Sequence, residues 1–280
     1  MNVQQLLSLV TFRPPRPRVA VLRLAGVIGP LAPIRGGINM ANTADLIERA
    51  FRLSGLSAVA LAINSPGGAA AQSALIAKHI RDLADEKGIP VFAFVEDVAA
   101  SGGYWLACAA DEIHVDENSI VGSIGVISSG FGFAEAIGRL GIERRIHTQG
   151  AKKSLLDPFR PESAEDLERL TGLQTEIHAN FKEAVRRRRG ERLKLAEKEL
   201  FSGEVWTGRR AVELGLADGV GDMRAVMRAR FGDKVQFRRI APARGWLRRR
   251  AGLEAPAPAE WADALVGGLV ARALWNRYGL

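Results

Sequence analysis

Among the residues of this sequence, Ser101 is the one best placed for nucleophilic chemistry, in Asp97-Val-Ala-Ala-Ser-Gly-Gly-Tyr-Trp. Apolar residues before it predict a strand, and the residues after it predict a helix. A serine at such a turn projects its hydroxyl, and the amides that follow point outward with the positive end of the helix dipole. Glycine on its C-terminal side lets a substrate backbone approach closely. An ordinary turn or a helix cap explains the same residues, so both interpretations stay open at this point.

A second glycine loop, Asn64-Ser-Pro-Gly-Gly, follows the predicted strand Ser57–Ile63 and precedes a predicted helix. Two successive glycine amides at the carboxyl end of a strand could supply an oxyanion hole, which needs donors about 3 Å from the developing charge. A phosphate cradle is the rival use, but no GxxxxGK pattern accompanies the loop. A plain turn is the remaining alternative.

A serine nucleophile needs a base, and the candidates are histidines and lysines. The four histidines fall in predicted helices or strands rather than loops and are interpreted as surface or packing residues: His79, His114, His147 and His178. A lysine needs roughly 4 to 5 kcal/mol of differential stabilisation, mostly from burial, to be half neutral at pH 7. Lys152 and Lys153 lie in the loop Gly150–Pro158. In an extended segment their side chains point opposite ways, so only one could enter a site, and a solvated surface role is the alternative.

Strands and helices alternate along the chain, which predicts a βαβ architecture with a buried parallel sheet. The predicted strands are Val19–Leu24, Ser57–Ile63, Pro90–Val95, Glu112–Val115, Ile124–Ile127 and Arg144–Thr148. The predicted helices are Asn42–Phe51, Ala69–Glu86, Gly102–Ala109, Phe131–Leu140, Ser163–Arg189, Lys194–Leu200 and Gly208–Leu214. Ser163 to Asp166 resembles a capping box at the start of the longest helix.

Composition limits the classes of site. The 280 residues, 47% of them hydrophobic, can bury one substantial core. A single cysteine, Cys108, excludes an intramolecular disulfide and any zinc or iron–sulfur centre held by several thiolates. The net charge of +8 comes largely from the clusters Arg186–Arg189 and Arg248–Arg250. Such clusters serve nucleic acid, anionic lipid or simple solvation, and only Trp246 lies near them, so no nucleic-acid partner is expected.

The predicted organisation is an N-terminal extension over residues 1–17, a core over residues 18–225, and a basic linker and amphipathic tail over residues 226–280. The apolar stretch Leu6–Phe12 is too short to span a membrane and lacks a charged lead-in, so neither a cleavable signal nor an amino-terminal anchor is expected. Charged residues interrupt Trp261–Leu280, which favours a docked or membrane-surface helix. We therefore expect a cytoplasmic protein or one peripherally associated with the inner membrane.

Five motifs occur in order: Asn64-Ser-Pro-Gly-Gly, Ala100-Ser-Gly-Gly-Tyr, Val121-Gly-Ser-Ile-Gly-Val, Gly150-Ala-Lys-Lys and Val205-Trp-Thr-Gly-Arg-Arg-Ala-Val-Glu-Leu-Gly-Leu-Ala-Asp. Together they resemble the signal peptide peptidase A-like serine–lysine peptidases of the S49 family. The resemblance implies a Clp protease/crotonase-like ββα spiral, here with a C-terminal helical extension. It also implies roles for five residues: Ser101 as the nucleophile, Lys153 as the general base, Ser123 as the hydroxyl that holds the lysine amine, and Gly68 and Gly102 as the oxyanion amides.

The function implied by the resemblance is a serine endopeptidase acting on unfolded or membrane-derived peptides such as signal peptide remnants. It would need no cofactor and no metal, and its dyad would form between neighbouring protomers of a homo-oligomer. Two alternatives stand beside it. A crotonase-type acyl-CoA enzyme would use the same fold with Glu96 or Asp97, and a catalytically inactive scaffold would use the basic segments and the tail at a membrane.

Overall fold

A mostly parallel eight-stranded sheet organises the part of the chain that the computed structural model describes, residues 16–29, 37–150, 152–241, 268–269 and 271–279. The strands are β1 (Arg18–Ala25), β2 (Leu56–Ser65), β3 (Val91–Ala100), β4 (Glu112–Val115), β5 (Ile120–Gly122), β6 (Val205–Thr207), β7 (Gly219–Val220) and β8 (Gln236–Ile240). The helices are α1 (Met40–Phe51), α2 (Ala70–Lys87), α3 (Gly102–Ala107), α4 (Ala134–Arg139), α5 (Ala164–Arg189), α6 (Glu197–Leu200), α7 (Gly208–Glu213) and α8 (Met223–Phe231). A 3₁₀ turn, Gly190–Arg192, follows α5, and residues 268–269 and 271–276 are helical.

Strand β3 is the branch point of the sheet. The strand order is β6-β5-β3-β2-β1-β8, and β4 pairs with both β3 and β7. On the side away from β2, β3 pairs with β4 along Phe92–Val95 and with β5 along Val98–Ala100. The β5–β6 pair is antiparallel, whereas the other pairings between these eight strands are parallel. The carboxyl ends of β2 and β3 therefore lie side by side.

The sheet is held by apolar layers on both faces, because parallel strands of this kind are buried on both sides. Strand β2 is almost wholly buried, and its sequence is rich in alanine, valine and isoleucine. The larger core lies between the sheet and the helices α1 to α3. The smaller core lies under α8 and consists of Val19, Ala58, Ala60, Phe92, Phe94, Met227 and Val235.

Capping side chains fix where two helices begin. The N-cap of α1 is Asn39, whose side chain accepts from the Asn42 amide at 3.0 Å, while Asn42 Oδ1 accepts from the Asn39 amide at 3.2 Å. The helix thus starts before Asn42, which occupies the third helical position of a reciprocal capping box. At α5 the expected cap is confirmed, because Ser163 Oγ accepts from the Asp166 amide at 3.1 Å.

Two predicted strands are wrong. The strand expected at Ile124–Ile127 is replaced by β5, which ends at Gly122 because the chain bends at Ser123 with a φ of 53°. The segment Arg144–Thr148 forms no strand, since it lies in a projecting and largely exposed arm, residues 126–162, without a sheet edge beside it. Both strands were predicted from apolar and β-branched residues. Composition does not show whether a neighbouring strand is available to pair with such a segment.

The sheet continues past Ala225, where the change in composition suggested a boundary. Met227 of α8 is fully buried, and β8 pairs in parallel with β1 from Arg18↔Gln236 to Leu22↔Ile240. The strand was not predicted because the charged residues of Gln-Phe-Arg-Arg-Ile break the apolar pattern of a buried strand. An edge strand can carry such residues because one side of it faces solvent. The expectations for residues 1–15 and 242–267 lie outside the described residues. Within the described part of the chain, no helix is long and apolar enough to cross a membrane.

The arginine cluster at the end of α5 is largely used inside the fold. Arg189 is buried and donates to the Gly215 carbonyl and to both carboxylate oxygens of Asp218, at 2.7 and 3.0 Å. Arg188 donates to Asp111 and to carbonyls at the C-terminal end of α3. Arg186 pairs with a glutamate of α6. The cluster therefore anchors α5 against α3 and α7 and is not a free basic surface.

Asp218 balances two opposing effects. Burial favours the neutral carboxyl, but hydrogen bonds from Arg189 and from the Ile113 amide outweigh it and hold the pKa of Asp218 below its ordinary value. A lowered pKa of this kind stabilises the folded state above the ordinary carboxyl pKa. That stabilisation is lost as the pH falls through the pKa of the folded state.

We predict that Arg189→Met lowers the free energy of unfolding by about 3 kcal/mol at pH 7, because it removes both guanidinium hydrogen bonds to the half-buried Asp218 carboxylate. Only Arg192 and the Ile113 amide then remain as donors to that carboxylate. The difference from the wild type should shrink in acid, where Asp218 is protonated. Urea denaturation at several pH values measures both effects. The control is Arg187→Met, since Arg187 is exposed and has no ion pair among the described residues. Equal losses in the two variants would contradict the assignment.

Candidate active site

Ser101 lies at the turn from β3 into α3, as the sequence predicted. Its backbone adopts a φ of 53° and a ψ of −122°, a conformation that costs a non-glycine residue about 1 to 3 kcal/mol. The turn is held from both sides: the Ser101 amide donates to the Gly122 carbonyl at 2.8 Å, and the Ser101 carbonyl accepts from Tyr104 at 3.0 Å. The side chain is half-exposed, and its hydroxyl makes no hydrogen bond within the described residues.

The loop Asn64-Ser-Pro-Gly-Gly packs directly against Ser101. A Cβ atom on Gly67 would lie 2.8 Å from the Ser101 Cβ and 2.9 Å from the Gly102 nitrogen. A Cβ atom on Gly68 would lie 2.0 Å from the Ile28 carbonyl oxygen, and Gly68 has a φ of 144°. Both positions require glycine. A larger residue at position 67 would push the loop away from Ser101, and one at position 68 would push it away from Ile28.

Two backbone amides beside Ser101 have no acceptor. Among the described residues, neither the Gly68 amide nor the Gly102 amide donates a hydrogen bond, whereas the Gly67 amide donates to Ser65 Oγ at 3.2 Å. Gly68 is exposed at the end of the loop. A hydroxyl next to two unpaired amide donors is an arrangement that suits acyl transfer, in which an oxyanion develops beside the nucleophile.

Ser65 holds this loop in place, and the sequence analysis missed it. The side chain is fully buried, and its Oγ donates to the Gly26 carbonyl at 2.7 Å while accepting from the Gly67 amide. The first turn of α3 rests on the same residue, since a Cβ atom on Gly103 would lie 2.5 Å from the Ser65 carbonyl oxygen. The available signal was a polar residue between a buried apolar strand and a glycine pair.

The two carboxylates that a crotonase-type reaction would use are already engaged. Asp97 accepts from Asn64 Nδ2 at 2.6 Å, and Asn64 Oδ1 in turn accepts from the Val98 amide at 3.2 Å. Glu96 forms an ion pair with Arg23 at 2.6 Å. These contacts tie β3 to β2 and, across β2, to β1, and neither carboxylate makes a hydrogen bond to Ser101 in the described structure.

Ser123 lies next to the residue that holds Ser101. It is buried, and like Ser101 it adopts a φ of 53°. Its amide donates to the Glu204 carbonyl at 2.6 Å, so the β5–β6 pairing fixes its position. The Ser123 hydroxyl makes no hydrogen bond within the described residues, which leaves it available to a further donor or acceptor.

The four histidines lie in α2, β4, the arm and α5. His178 of α5 bonds the Ile124 carbonyl at 3.1 Å, and His114 of β4 stacks on Phe94 with ring centroids 5.4 Å apart. His79 lies in α2, and His147 is exposed in the arm. No hydrogen bond joins any of the four to Ser101 among the described residues.

Cys108 is not a competing nucleophile. It lies directly after α3 and is buried. Burial raises the pKa of its thiol to about 12, so the thiol stays protonated at neutral pH.

Lys153 is separate from Ser101 in the single chain. It lies in the arm, is exposed, and its amide donates to the Gly150 carbonyl at 3.2 Å. No hydrogen bond among the described residues joins its ammonium group to Ser101 or Ser123. The structure therefore brings together four of the five predicted site residues, and it leaves Lys153 in solvent. The described residues also contain no group of three His, Cys, Asp or Glu side chains that could hold a metal ion.

The arm that carries Lys153 exposes an unusual amount of apolar surface. Its apolar side chains include Phe131, which is 82% exposed, and Leu140, which is 74% exposed. The arm is folded on itself, since the Phe133 amide donates to the Pro158 carbonyl at 2.6 Å and the Phe133 and Phe159 rings lie 5.6 Å apart. An ordered element with uncovered apolar side chains is typical of a surface that binds another chain.

Comparison with known proteins identifies the family. The sequence model of Peptidase family S49 matches residues 84–251. The chain belongs to peptidase family S49. Membership confirms the expected peptidase class and, with the sheet described above, the Clp protease/crotonase-like α/β fold.

Three relatives illustrate the family and its extent. The chloroplastic serine protease SPPA of Arabidopsis thaliana is 33% identical over 216 residues, covering 74% of this chain and 31% of that protein. The putative signal peptide peptidase SppA of Enterococcus faecium is 34% identical over 163 residues, covering 58% and 47% respectively. The Na(+)/H(+) antiporter NhaA of Brucella abortus (strain 2308) is 49% identical over 280 residues, covering 96% of this chain and 38% of that protein. The chain thus spans less than half the length of each of these relatives.

We predict that Ser65→Ala lowers kcat about 10- to 100-fold with KM nearly unchanged, because the loop that carries Gly68 loses its fixed position. The matched control is Ser119→Ala. Ser119 is also buried. Its Oγ donates to the Glu96 carbonyl at 2.6 Å, with the Val95 carbonyl at 3.3 Å, and accepts from the Asp116 amide at 3.0 Å. Both variants should lose about 1 to 3 kcal/mol of stability, but only Ser65→Ala should lose kcat. If Ser65→Ala and Ser119→Ala lost the same stability and the same fraction of kcat, the role of Ser65 would be purely structural.

Proposed function

We propose that this S49-family chain is a serine endopeptidase in which Ser101 is the nucleophile and Lys153 of a neighbouring copy is the general base. The observation that carries the proposal is the contact between the two glycine loops. Gly67 packs against Ser101 and the Gly102 nitrogen, and the amides of Gly102 and of the next loop residue, Gly68, have no acceptor among the described residues. Family membership supports hydrolysis of peptide bonds as the reaction.

The proposed reaction has two halves. Neutral Lys153 accepts the Ser101 proton while Oγ attacks the peptide carbonyl, and the Gly68 and Gly102 amides stabilise the tetrahedral oxyanion. The protonated lysine then delivers its proton to the leaving amine, which departs and leaves an ester on Ser101. Water enters, gives a proton to the same lysine, and attacks the ester carbonyl. As the bond to Ser101 Oγ breaks, the lysine returns that proton to Oγ, which releases the acid product and restores the serine hydroxyl and the neutral lysine.

The neighbouring copy answers two requirements at once. Lys153 must be buried to become neutral, and it is exposed in the single chain. The apolar arm that carries it needs a cover, and a second copy supplies one. Seating the arm against a neighbour would bring Lys153 towards that neighbour's Ser101 and Ser123, where the unpaired Ser123 hydroxyl can accept a hydrogen bond from the amine.

For substrates we propose unfolded or membrane-derived peptides, including signal peptide remnants. The name of the Enterococcus faecium relative, a putative signal peptide peptidase, supports this substrate class. We further propose a location in the cytoplasm or at the surface of the inner membrane. The crotonase-type alternative is disfavoured because Asp97 and Glu96 are held by Asn64 and Arg23.

We expect Ser101→Ala and Lys153→Ala each to lower kcat at least about 10³-fold, since each removes a group that takes part in bond making. Lys152→Ala is the matched control, because Lys152 is the adjacent exposed lysine and should keep near-wild-type activity. Cleavage of an unfolded fluorogenic protein substrate measures the effect. A serine-directed fluorophosphonate should label the wild type and the Lys152 variant but not Ser101→Ala. Full activity in Ser101→Ala or Lys153→Ala would reject the assignment.

Mixing the two inactive variants tests whether the dyad spans copies. After subunit exchange, random pairing should restore about a quarter of the wild-type sites, because each site then takes its serine and its lysine from different chains. Each variant exchanged with itself should stay inactive. If the mixture also stays inactive although exchange is verified by mass spectrometry, both groups act within one chain.

A further inference from the structure

The net charge of the chain is concentrated in one stretch of sequence. Residues 222–250 contain ten lysines and arginines against two aspartates, a balance of +8 that equals the net charge of the whole 280-residue chain. All remaining residues together are neutral. The excess charge is therefore a local property of the segment that forms α8 and β8 and continues beyond them.

In the described part of this segment, five exposed cations form a surface that we call the basic edge: Arg224, Arg228, Lys234, Arg238 and Arg239. Helix α8 turns Met227 towards the sheet, which leaves Arg224 and Arg228 outside. The Arg224 guanidinium lies 5.5 Å from the centre of the Phe237 ring, so α8 packs over the face of β8 that carries Phe237 and Arg239. Arg238 points to the other face of the same edge strand.

None of the five cations has an ion-pair partner among the described residues. The neighbouring carboxylates are mostly engaged. Asp222 caps α8 through the Arg224 and Ala225 amides, and Glu112 pairs with Arg230. On α1, which packs beside β8, Asp45 and Glu48 pair with arginines of their own helix. Asp233, in the turn before β8, offsets one of the five charges.

We propose that the basic edge docks the protein onto a membrane surface rich in anionic lipid. A fluid layer of headgroups requires positive charge on a face and no shaped pocket, and each lysine or arginine near such a surface contributes about 1 kcal/mol. The described part of the basic edge offers nucleic-acid bases little to stack on. Phe237 is covered by Arg224, and Phe231 packs against the smaller core.

The basic edge lies at the opposite end of the sheet from the candidate site. Strand pairing through β1 and β2 places Arg238 and Arg239 level with Val91 and Phe92, at the amino end of β3. Ser101 follows the carboxyl end of β3, about 30 Å further along the strand direction. Docking through the basic edge therefore leaves the candidate site uncovered, and the docking proposal does not depend on the proposed function.

The test compares two variants with the same loss of charge. One replaces all five cations of the basic edge with glutamine. The control replaces five exposed cations that have ion-pair partners and lie away from β8: Lys78, Arg139, Arg145, Arg209 and Arg210. Binding is measured by flotation with phosphatidylcholine vesicles that contain none or about 30% phosphatidylserine, at low and high salt.

We expect wild type and control to float with the anionic vesicles, and the basic-edge variant to bind at least about 100-fold more weakly. High salt should release the bound proteins, and neutral vesicles should bind none. Equal binding by the two variants would overturn the proposal. A second outcome would also overturn it: the wild type does not float but binds an RNA oligonucleotide, and the basic-edge variant loses that RNA binding whereas the control keeps it.

Two further measurements separate this proposal from the proposed function. Ser101→Ala should float like the wild type, because docking does not use the nucleophile. The basic-edge variant should cleave a short soluble peptide at the wild-type rate. Loss of that cleavage in a folded basic-edge variant would show that the five cations serve the site itself and not docking.

Discussion

The structure of the candidate site depends on one close approach, that of Gly67 to Ser101, where an added Cβ atom would stand 2.8 Å from the serine Cβ. Parallel pairing of β2 and β3 brings their carboxyl ends side by side, so the loops that leave them must share the same space. Two glycines make that possible. The result is that the Gly67–Gly68 loop lies against Ser101 and the Gly102 nitrogen without any side chain having to reach across the sheet.

The branching of β3 explains why a second serine lies next to the first. Strand β4 pairs with the first half of β3 and β5 with its second half, so β5 reaches the level of Ser101. The Ser101 amide can therefore donate to the Gly122 carbonyl at the end of β5. Ser123 follows at once. Asn64 supports the same region from the other side, where the register between β2 and β3 shifts. Strand pairing thus holds two serines at positive φ angles, a conformation that serine does not favour by itself.

What could be predicted from the sequence follows from how local each signal is. The buried strands β1 and β2, the long helix α5 and the glycine loops depend on residues within a few positions, and the sequence placed them correctly. Strand β8 was missed because an arginine-rich edge strand lacks the apolar pattern of a buried one. The proposed base for Ser101 is harder still to place from the sequence. Lys153 is exposed in the single chain, and no pattern within a chain states what a second copy contributes.

The arginines of this protein illustrate the same limit, because runs that look alike in sequence have opposite uses. Arg188 and Arg189 form ion pairs with Asp111 and Asp218 and donate to nearby carbonyls, whereas Arg238 and Arg239 form no ion pair among the described residues. Their positions also differ. The basic edge flanks β8 at one side of the sheet, and the arm leaves from β5 near the other side. An anionic membrane at the basic edge and a second copy at the arm would therefore lie at opposite edges of the sheet. One protomer could then contact both at the same time.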